Sequence, residues 1–200
     1  MMGPPSAQPS APHREETPVT ETPSPAGAGH PELLAVYCND HLAAATGGIE
    51  LVSRMIGAHA GSRHEPALRQ LLAELREEKT ALTGTMASLG VPVRQYKQLA
   101  VWVAEKASRA KLNGSLVSRS PLSSLVEFEF LASAVRGKRS GFETLRIAAD
   151  VEARIDGALF DRLIDQANRQ YEWATDVRRE IAAELFGGDP ASVADADTDA

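Results

Sequence analysis

The positions of the prolines constrain the fold of this chain more than any other feature of the sequence. Eight of the twelve prolines lie within residues 1–31. Between that segment and the last helix-like run there are only three more, and each opens a run with apolar residues at helical spacing: Pro66, Pro92 and Pro121. Proline is tolerated in the first turn of an α-helix but breaks a helix interior. The chain is therefore predicted to be all-α, with helices that run between these positions.

Five helices are predicted from the prolines and from the apolar periodicity. Their ranges are 31–58, 66–89, 92–112, 121–148 and 157–186. Gly90 and Gly187 mark two of the ends, because glycine is favoured at helix C-termini. The short loop after the first helix makes the first two helices antiparallel neighbours, and residues 91–120 are long enough to carry the chain back along the bundle. The expected architecture is two helical hairpins joined by a crossover.

The two ends of the chain differ in composition from its middle. Residues 1–30 are rich in proline and residues 188–200 are small and acidic, so both are predicted to be disordered tails around a helical domain at 31–187. The tails carry all of the net charge of −6, because the rest of the chain holds 20 basic and 20 acidic side chains. A balanced middle has no global field that gathers nucleic acid, and no nucleic-acid partner is expected.

The sequence also indicates a compartment. No apolar run reaches the roughly 18 residues that a membrane-spanning helix needs, so no membrane partner is expected. The start, MMGPPSAQPSAP, lacks the apolar core of a signal peptide. The single cysteine, Cys38, excludes an internal disulfide and suits a reducing compartment. We therefore predict a cytoplasmic protein.

Three segments resemble a known family. They read YCNDHLAAATGGIEL (37–51), YKQLAVWVAEKASRAKLNG (96–114) and SPLSSLVEFEFL (120–131). They are similar to uncharacterised actinobacterial proteins of the ferritin-like superfamily, and the resemblance extends over residues 31–187. It implies a ferritin-like four-helix bundle with a helical crossover between the second and third bundle helices. Di-metal members of that superfamily hold iron or manganese with a Glu on each of two helices and a Glu-x-x-His on each of the other two.

That ligand pattern is not found in this sequence, because the second and last predicted helices contain glutamates but no histidine. We therefore predict a non-catalytic helical protein, without a cofactor, in a structural or protein-interaction role. The alternative is a divergent iron- or manganese-dependent oxidase or oxygen-scavenging protein. Its ligands would be Asp40, His41, Glu78 and Glu129.

Several polar side chains lean toward the predicted core. Lys79 continues the apolar stripe of the second helix, and helical wheels bring four others toward the interior: Asp40, His41, Glu129 and Tyr171, with Gln170 as an alternative to Tyr171. A buried charge without a partner costs several kcal/mol, so we predict that Lys79 pairs with Glu129 or Asp40 and replaces the metal ions. The alternatives are that Lys79 reaches out to solvent or belongs to a functional site.

Two kinds of partner are expected. The third predicted helix carries a basic surface that is a candidate for an acidic partner, with a solvated surface as the alternative: Arg94, Lys97, Lys106, Arg109 and Lys111. Self-association is expected through apolar side chains that are predicted to be exposed: Trp102, Phe130 and Trp173.

Two local features have competing interpretations. Gly47 and Gly48 lie inside the first helix, which indicates either the close approach of a neighbouring helix or an opening toward a cavity. His59, His64 and Glu65 surround the first loop and offer two imidazoles and a carboxylate. Because a further spaced ligand is missing, we predict surface histidines here in preference to a zinc or nickel site.

Overall fold

A computed structural model describes residues 30–94 and 121–187. Within these ranges the chain forms four helices and no strand: α1 (Pro31–Ala58), α2 (Glu65–Leu89), α3 (Pro121–Ala148) and α4 (Gly157–Phe186). The all-α prediction is confirmed for this part of the chain, and four predicted helices are found within one residue of their predicted bounds. Of the predicted helix at 92–112, residues 92–94 are not helical, and the remainder lies outside the described residues, as do residues 1–29 and 188–200.

Local chemistry explains where these helices begin and end. Proline lies in the first turn of both α1 and α2, where its missing N–H costs no helical hydrogen bond. Asp156 caps α4, because its side chain accepts a 3.1 Å hydrogen bond from the backbone N–H of Leu159. Gly90 ends α2 with φ = 70°, a left-handed conformation that glycine adopts without steric cost.

Each helix turns one apolar stripe toward a shared core. Phe128 of α3 and Phe160 of α4 are fully buried, as are Val52 of α1 and Leu68 of α2. Burying one such side chain stabilises the fold by about 1.5–3 kcal/mol, so the core provides the main driving force for packing. None of the helices in the described ranges is both long enough and apolar enough to cross a membrane.

Helices α1 and α2 form the first hairpin and helices α3 and α4 form the second, and the two hairpins pack together as a bundle. In the second hairpin Arg146 lies 3.0 Å from Asp161 near the connecting turn, while Arg178 approaches Glu129 far from it. This pairing shows that α3 and α4 are antiparallel. The hairpins meet where Glu78 of α2 accepts a hydrogen bond from Gln166 of α4, and where α1 packs against α3.

Candidate functional site

A buried ion pair crosses the interior of the bundle. The Nζ atom of Lys138 on α3 lies 2.6 Å from Oε2 of Glu78 on α2, and the two side chains are 16% and 3% exposed. The same ammonium donates a hydrogen bond to Oε1 of Gln170 on α4. The site therefore joins three helices through one amine, and we call these three side chains the polar network.

Both carboxylate oxygens of Glu78 are engaged. While Oε2 accepts from Lys138, Oε1 accepts hydrogen bonds from Nε2 of Gln166 at 2.9 Å and Nε2 of Gln170 at 3.0 Å. The Gln170 amide also donates to Glu74 at 2.6 Å. A charge pair is tolerated in a protein interior when such additional hydrogen bonds offset its lost hydration.

The surroundings of the Lys138 ammonium shift its pKa in two opposite directions. Burial lowers the pKa of Lys138 below its ordinary value, and this is the larger effect, whereas the negative charges of Glu78 and Glu74 raise it. Loss of the Glu78 carboxylate would leave burial opposed only by the charge of Glu74. The charged state of the amine therefore depends on its partner across the bundle.

A cavity of about 270 Å³ lies beside the polar network, between α1, α2 and α3. Its apolar lining includes Leu51, Leu75, Leu82, Val135 and Phe142, and its polar lining includes His41, Glu78, Lys79 and Lys138. A Cβ atom built on Gly48 would meet no atom within 4 Å. The close approach of a helix at Gly48 is thus not found in the described ranges, and the alternative interpretation, an opening toward a cavity, describes this glycine.

One end of the cavity is fitted closely around His41. A Cβ atom on Gly141 would lie 2.5 Å from Cε1 and 2.6 Å from Nδ1 of the His41 ring, so the absence of a side chain at 141 makes room for the imidazole. The ring also stacks at a tilt on Tyr37, with centroids 4.5 Å apart. Burial lowers the pKa of His41, and the nearby charge of Asp40 acts against that change. The surroundings therefore favour the neutral imidazole.

The predicted ion pair of Lys79 is wrong. Lys79 lines the cavity and is half-buried, but it forms no ion pair with any residue in the described ranges. The proposed partners point elsewhere, because Asp40 is exposed and Glu129, itself 50% exposed, faces Arg178 at 4.0 Å. The inward position on α2 belongs to Glu78, and Lys79 lies one residue, or about 100°, further around the helix.

The other predicted interior residues are only partly brought together. Tyr171 is half-buried beneath Arg136, whose guanidinium lies 5.5 Å from the ring centroid, and the alternative, Gln170, is the residue that turns inward. His41 and Glu78 line one cavity, but Asp40 and Glu129 are exposed. In residues 30–94 and 121–187 no three His, Cys, Asp or Glu side chains come together as a metal site, so the alternative ligand set is not assembled there.

The sequence contained a signal for the polar network that the helical wheels missed. Each of its three members lies three residues after one buried apolar side chain and four residues before the next, which is the spacing of an inward position. The three sets are Leu75, Glu78 and Leu82; Val135, Lys138 and Phe142; and Ala167, Gln170 and Ala174. The sequence neighbours of Lys138, in RGKRS, are polar or small, and they obscure this pattern.

Around the loop between α1 and α2, His59 and Glu65 both have polar partners. His59 is buried, with Nε2 3.3 Å from Oε2 of Glu127 and its ring edge-on to Phe128 at 5.3 Å. Its predicted surface position is therefore wrong. Glu65 accepts a 2.6 Å hydrogen bond from the Gly61 N–H and also binds Arg69. These contacts give the side chains structural partners.

Only some residues of the predicted partner surfaces lie within the described ranges. Arg94 is exposed, whereas Lys97, Trp102, Lys106, Arg109 and Lys111 lie outside the described residues. Phe130 and Trp173 are half-buried and pack against the core, so their predicted exposure is wrong. The most exposed large apolar side chains in the described ranges are Ile147, Val151 and Phe186, at 69%, 76% and 70%.

The geometry thus offers a satisfied polar network beside an apolar cavity, with a second ammonium, Lys79, at the cavity wall. Both oxygens of Glu78, the buried carboxylate of this network, already accept hydrogen bonds. In comparisons with known proteins, no family model, no curated protein and no solved structure matches this chain.

Proposed function

We propose that this chain is a ferritin-like bundle that acts by binding, in a structural or interaction role, and that an ion pair takes the place of a di-metal centre. The observation that carries the proposal is the 2.6 Å contact between the Lys138 ammonium and the buried Glu78 carboxylate. A metal ion needs carboxylate oxygens as ligands. Here the ammonium and two glutamine amides already occupy both oxygens of Glu78.

The direction of the helices supports ferritin-like topology. At the end of α2 the Leu89 carbonyl accepts a 3.2 Å hydrogen bond from Arg154, which lies in the turn between α3 and α4. Near the start of α3, by contrast, Glu127 contacts His59 just after α1. The end of α2 and the start of α3 therefore lie at opposite ends of the bundle, which is the arrangement that a crossover connection requires.

Self-association and a cytoplasmic location complete the proposal. Ile147 and Val151 are exposed near the turn that joins α3 to α4, and neighbouring exposed apolar side chains mark candidate contact surfaces. A homo-oligomer that meets through this end of the bundle accounts for their exposure. The basic surface that begins at Arg94 stays a prediction for an acidic partner.

Metal analysis of the purified full chain tests the proposal. Protein produced with iron and manganese in the medium is expected to contain neither metal in stoichiometric amount at neutral pH, because Lys138 occupies the carboxylate. Stoichiometric iron or manganese that disappears in Glu78→Gln would contradict the proposal and support the oxidase alternative. Metal retained in Glu78→Gln but lost in Asp40→Asn would also contradict it, through a centre elsewhere in the bundle.

A further inference from the structure

Two lysines line the cavity, and only one of them has a carboxylate partner in the described ranges. We propose that the cavity binds a medium-chain carboxylate, with its hydrocarbon chain among the apolar side chains and its head group on Lys79. This inference rests on the proposed function as a binding protein and names the class of ligand. It joins two independent observations, the apolar lining and the amine without a counter-ion.

The apolar lining sets the nature and size of the tail. Leu51, Leu82, Val135, Phe142 and Leu145 contribute hydrocarbon side chains to the lining. Apolar cavity walls favour hydrocarbon over water. A cavity of roughly 150 Å³ accepts one benzene ring, so by proportion a cavity of about 270 Å³ holds roughly ten carbons.

The charges around the cavity set the sign of the head group. Glu78 carries the negative charge at this wall, but it is 3% exposed and both its oxygens accept hydrogen bonds already. Lys79 follows it directly on α2 and has no carboxylate of its own in the described ranges. Because Glu78 is paired with Lys138, Lys79 carries the unbalanced positive charge at this wall, so a cation would be repelled there, whereas a carboxylate would gain a charge-assisted hydrogen bond.

A glycine makes it possible to block the cavity without damaging the fold. Gly48 lines the cavity and a Cβ there meets nothing within 4 Å, so the side chain of Gly48→Leu would extend into the space that the tail needs. Replacing a mid-helix glycine also favours the helix. Gly84→Leu is the matched control, because Gly84 is an exposed α2 glycine, likewise without an atom within 4 Å, and does not line the cavity.

The test is calorimetric titration of the full chain at neutral pH with decanoate, and with 1-decanol as the uncharged probe of equal length. We expect wild type and Gly84→Leu to bind decanoate more tightly than decanol, and Gly48→Leu to bind neither. Lys79→Met should weaken decanoate binding by roughly 10–100-fold, the contribution of a hydrogen bond to a charged group, and leave decanol unchanged. Lys79→Arg should restore much of the decanoate affinity.

Three results would overturn the inference: no decanoate binding by folded wild type, equal decanoate affinity in wild type and Lys79→Met, or unchanged binding in Gly48→Leu. Circular dichroism and thermal unfolding of each variant establish that it is folded before titration. These failures are distinguishable from failure of the proposed function. If the purified protein is free of metal but does not bind decanoate, only the proposed ligand class is wrong. If it contains stoichiometric iron or manganese, the proposed function itself is wrong.

Discussion

Lys138 and Lys79 line the same cavity from two different helices, yet their surroundings are opposite. Lys138 is held by a buried carboxylate and a glutamine from two other helices. Lys79 is half-buried and has no ion pair in the described ranges. The difference shows that the partner available at the same level of the bundle, more than the lysine itself, decides whether an amine becomes part of the core.

The consequence is that the two amines should differ in what they do for the protein. Lys138 completes a network, so its removal affects neighbours that are buried with it. Lys79 stands at the cavity wall, where its removal leaves no buried charge behind. One amine is expected to serve stability and the other to serve binding.

The largest expected effect contrasts the same substitution at the two positions. Lys138→Met should lower the free energy of unfolding by about 3–5 kcal/mol, because it leaves the Glu78 carboxylate buried without its counter-ion. Lys79→Met should change it by about 0.5 kcal/mol or less, as at other sites away from a buried network. Chemical denaturation monitored by circular dichroism measures both. Equal losses in the two variants would remove the distinction between the lysines.

The second prediction asks whether the destabilisation comes from the stranded carboxylate. Glu78→Gln removes the charge, and in combination with Lys138→Met it should be less destabilising than the sum of the single substitutions. The expected coupling free energy is about 1–3 kcal/mol, typical of groups in one network. Denaturation curves of wild type, both single variants and the double variant give this value. Strict additivity would show that the pair acts as two separate side chains.

The third prediction tests the end of the cavity that is fitted around His41. Gly141→Ala places a Cβ against the His41 ring, while Gly137→Ala, one turn earlier on α3, meets nothing within 4 Å. Crowding in a packed region costs about 1–3 kcal/mol, whereas alanine for glycine in an open helical position gains about 0.5–1 kcal/mol. Thermal unfolding should therefore rank Gly137→Ala above wild type and Gly141→Ala below Gly137→Ala. Equal stability of the two variants would show that the His41 ring moves aside without cost.

The smallest expected effect is the response of His41 to acid. Because burial lowers the pKa of His41 in the folded protein, the unfolded chain binds more protons between that lowered pKa and the ordinary value near 6.5. Stability should therefore fall as the pH is lowered through this window, and His41→Gln should show a shallower fall. Unfolding free energies between pH 7.5 and 5 measure the slope. An identical slope in the variant would assign the acid sensitivity to other groups.

Much of the fold is predictable from the sequence, because the signals are local. A proline in the first turn marks the starts of α1 and α2, and Gly90 supplies the left-handed residue that ends α2. Such signals act within one turn of helix, which is why the predicted bounds agree with the structure to within one residue. The connection after Gly90 is harder to predict, because Pro92 indicates a helix start although residues 92–94 are not helical.

The candidate site was predicted in kind, but of its three residues Glu78 and Gln170 are predicted only as alternatives, and Lys138 is not predicted. The sequence indicated an amine and a carboxylate inside the bundle, and the structure has them, but as Lys138 and Glu78 and not as Lys79 with Glu129 or Asp40. Spacing along one helix places a side chain on a face; only packing fixes which faces of different helices meet at one level. Glu78 and Gln170 are 92 residues apart in the sequence, so no local pattern predicts that these two side chains are in contact.

One amide side chain in α1 has a consequence for the backbone that follows α2. Asn39 is 1% exposed; its Nδ2 donates to the Pro92 carbonyl at 3.2 Å and its Oδ1 accepts from the Arg94 N–H at 2.6 Å. The Asn39 amide thereby forms the donor and acceptor hydrogen bonds that a neighbouring peptide unit would form. These two bonds hold the backbone of residues 92–94 against α1. Since all of these groups lie within residues 31–94, contacts between α1 and residues 92–94 are enough to fix the backbone that follows α2, without any contribution from α3 or α4.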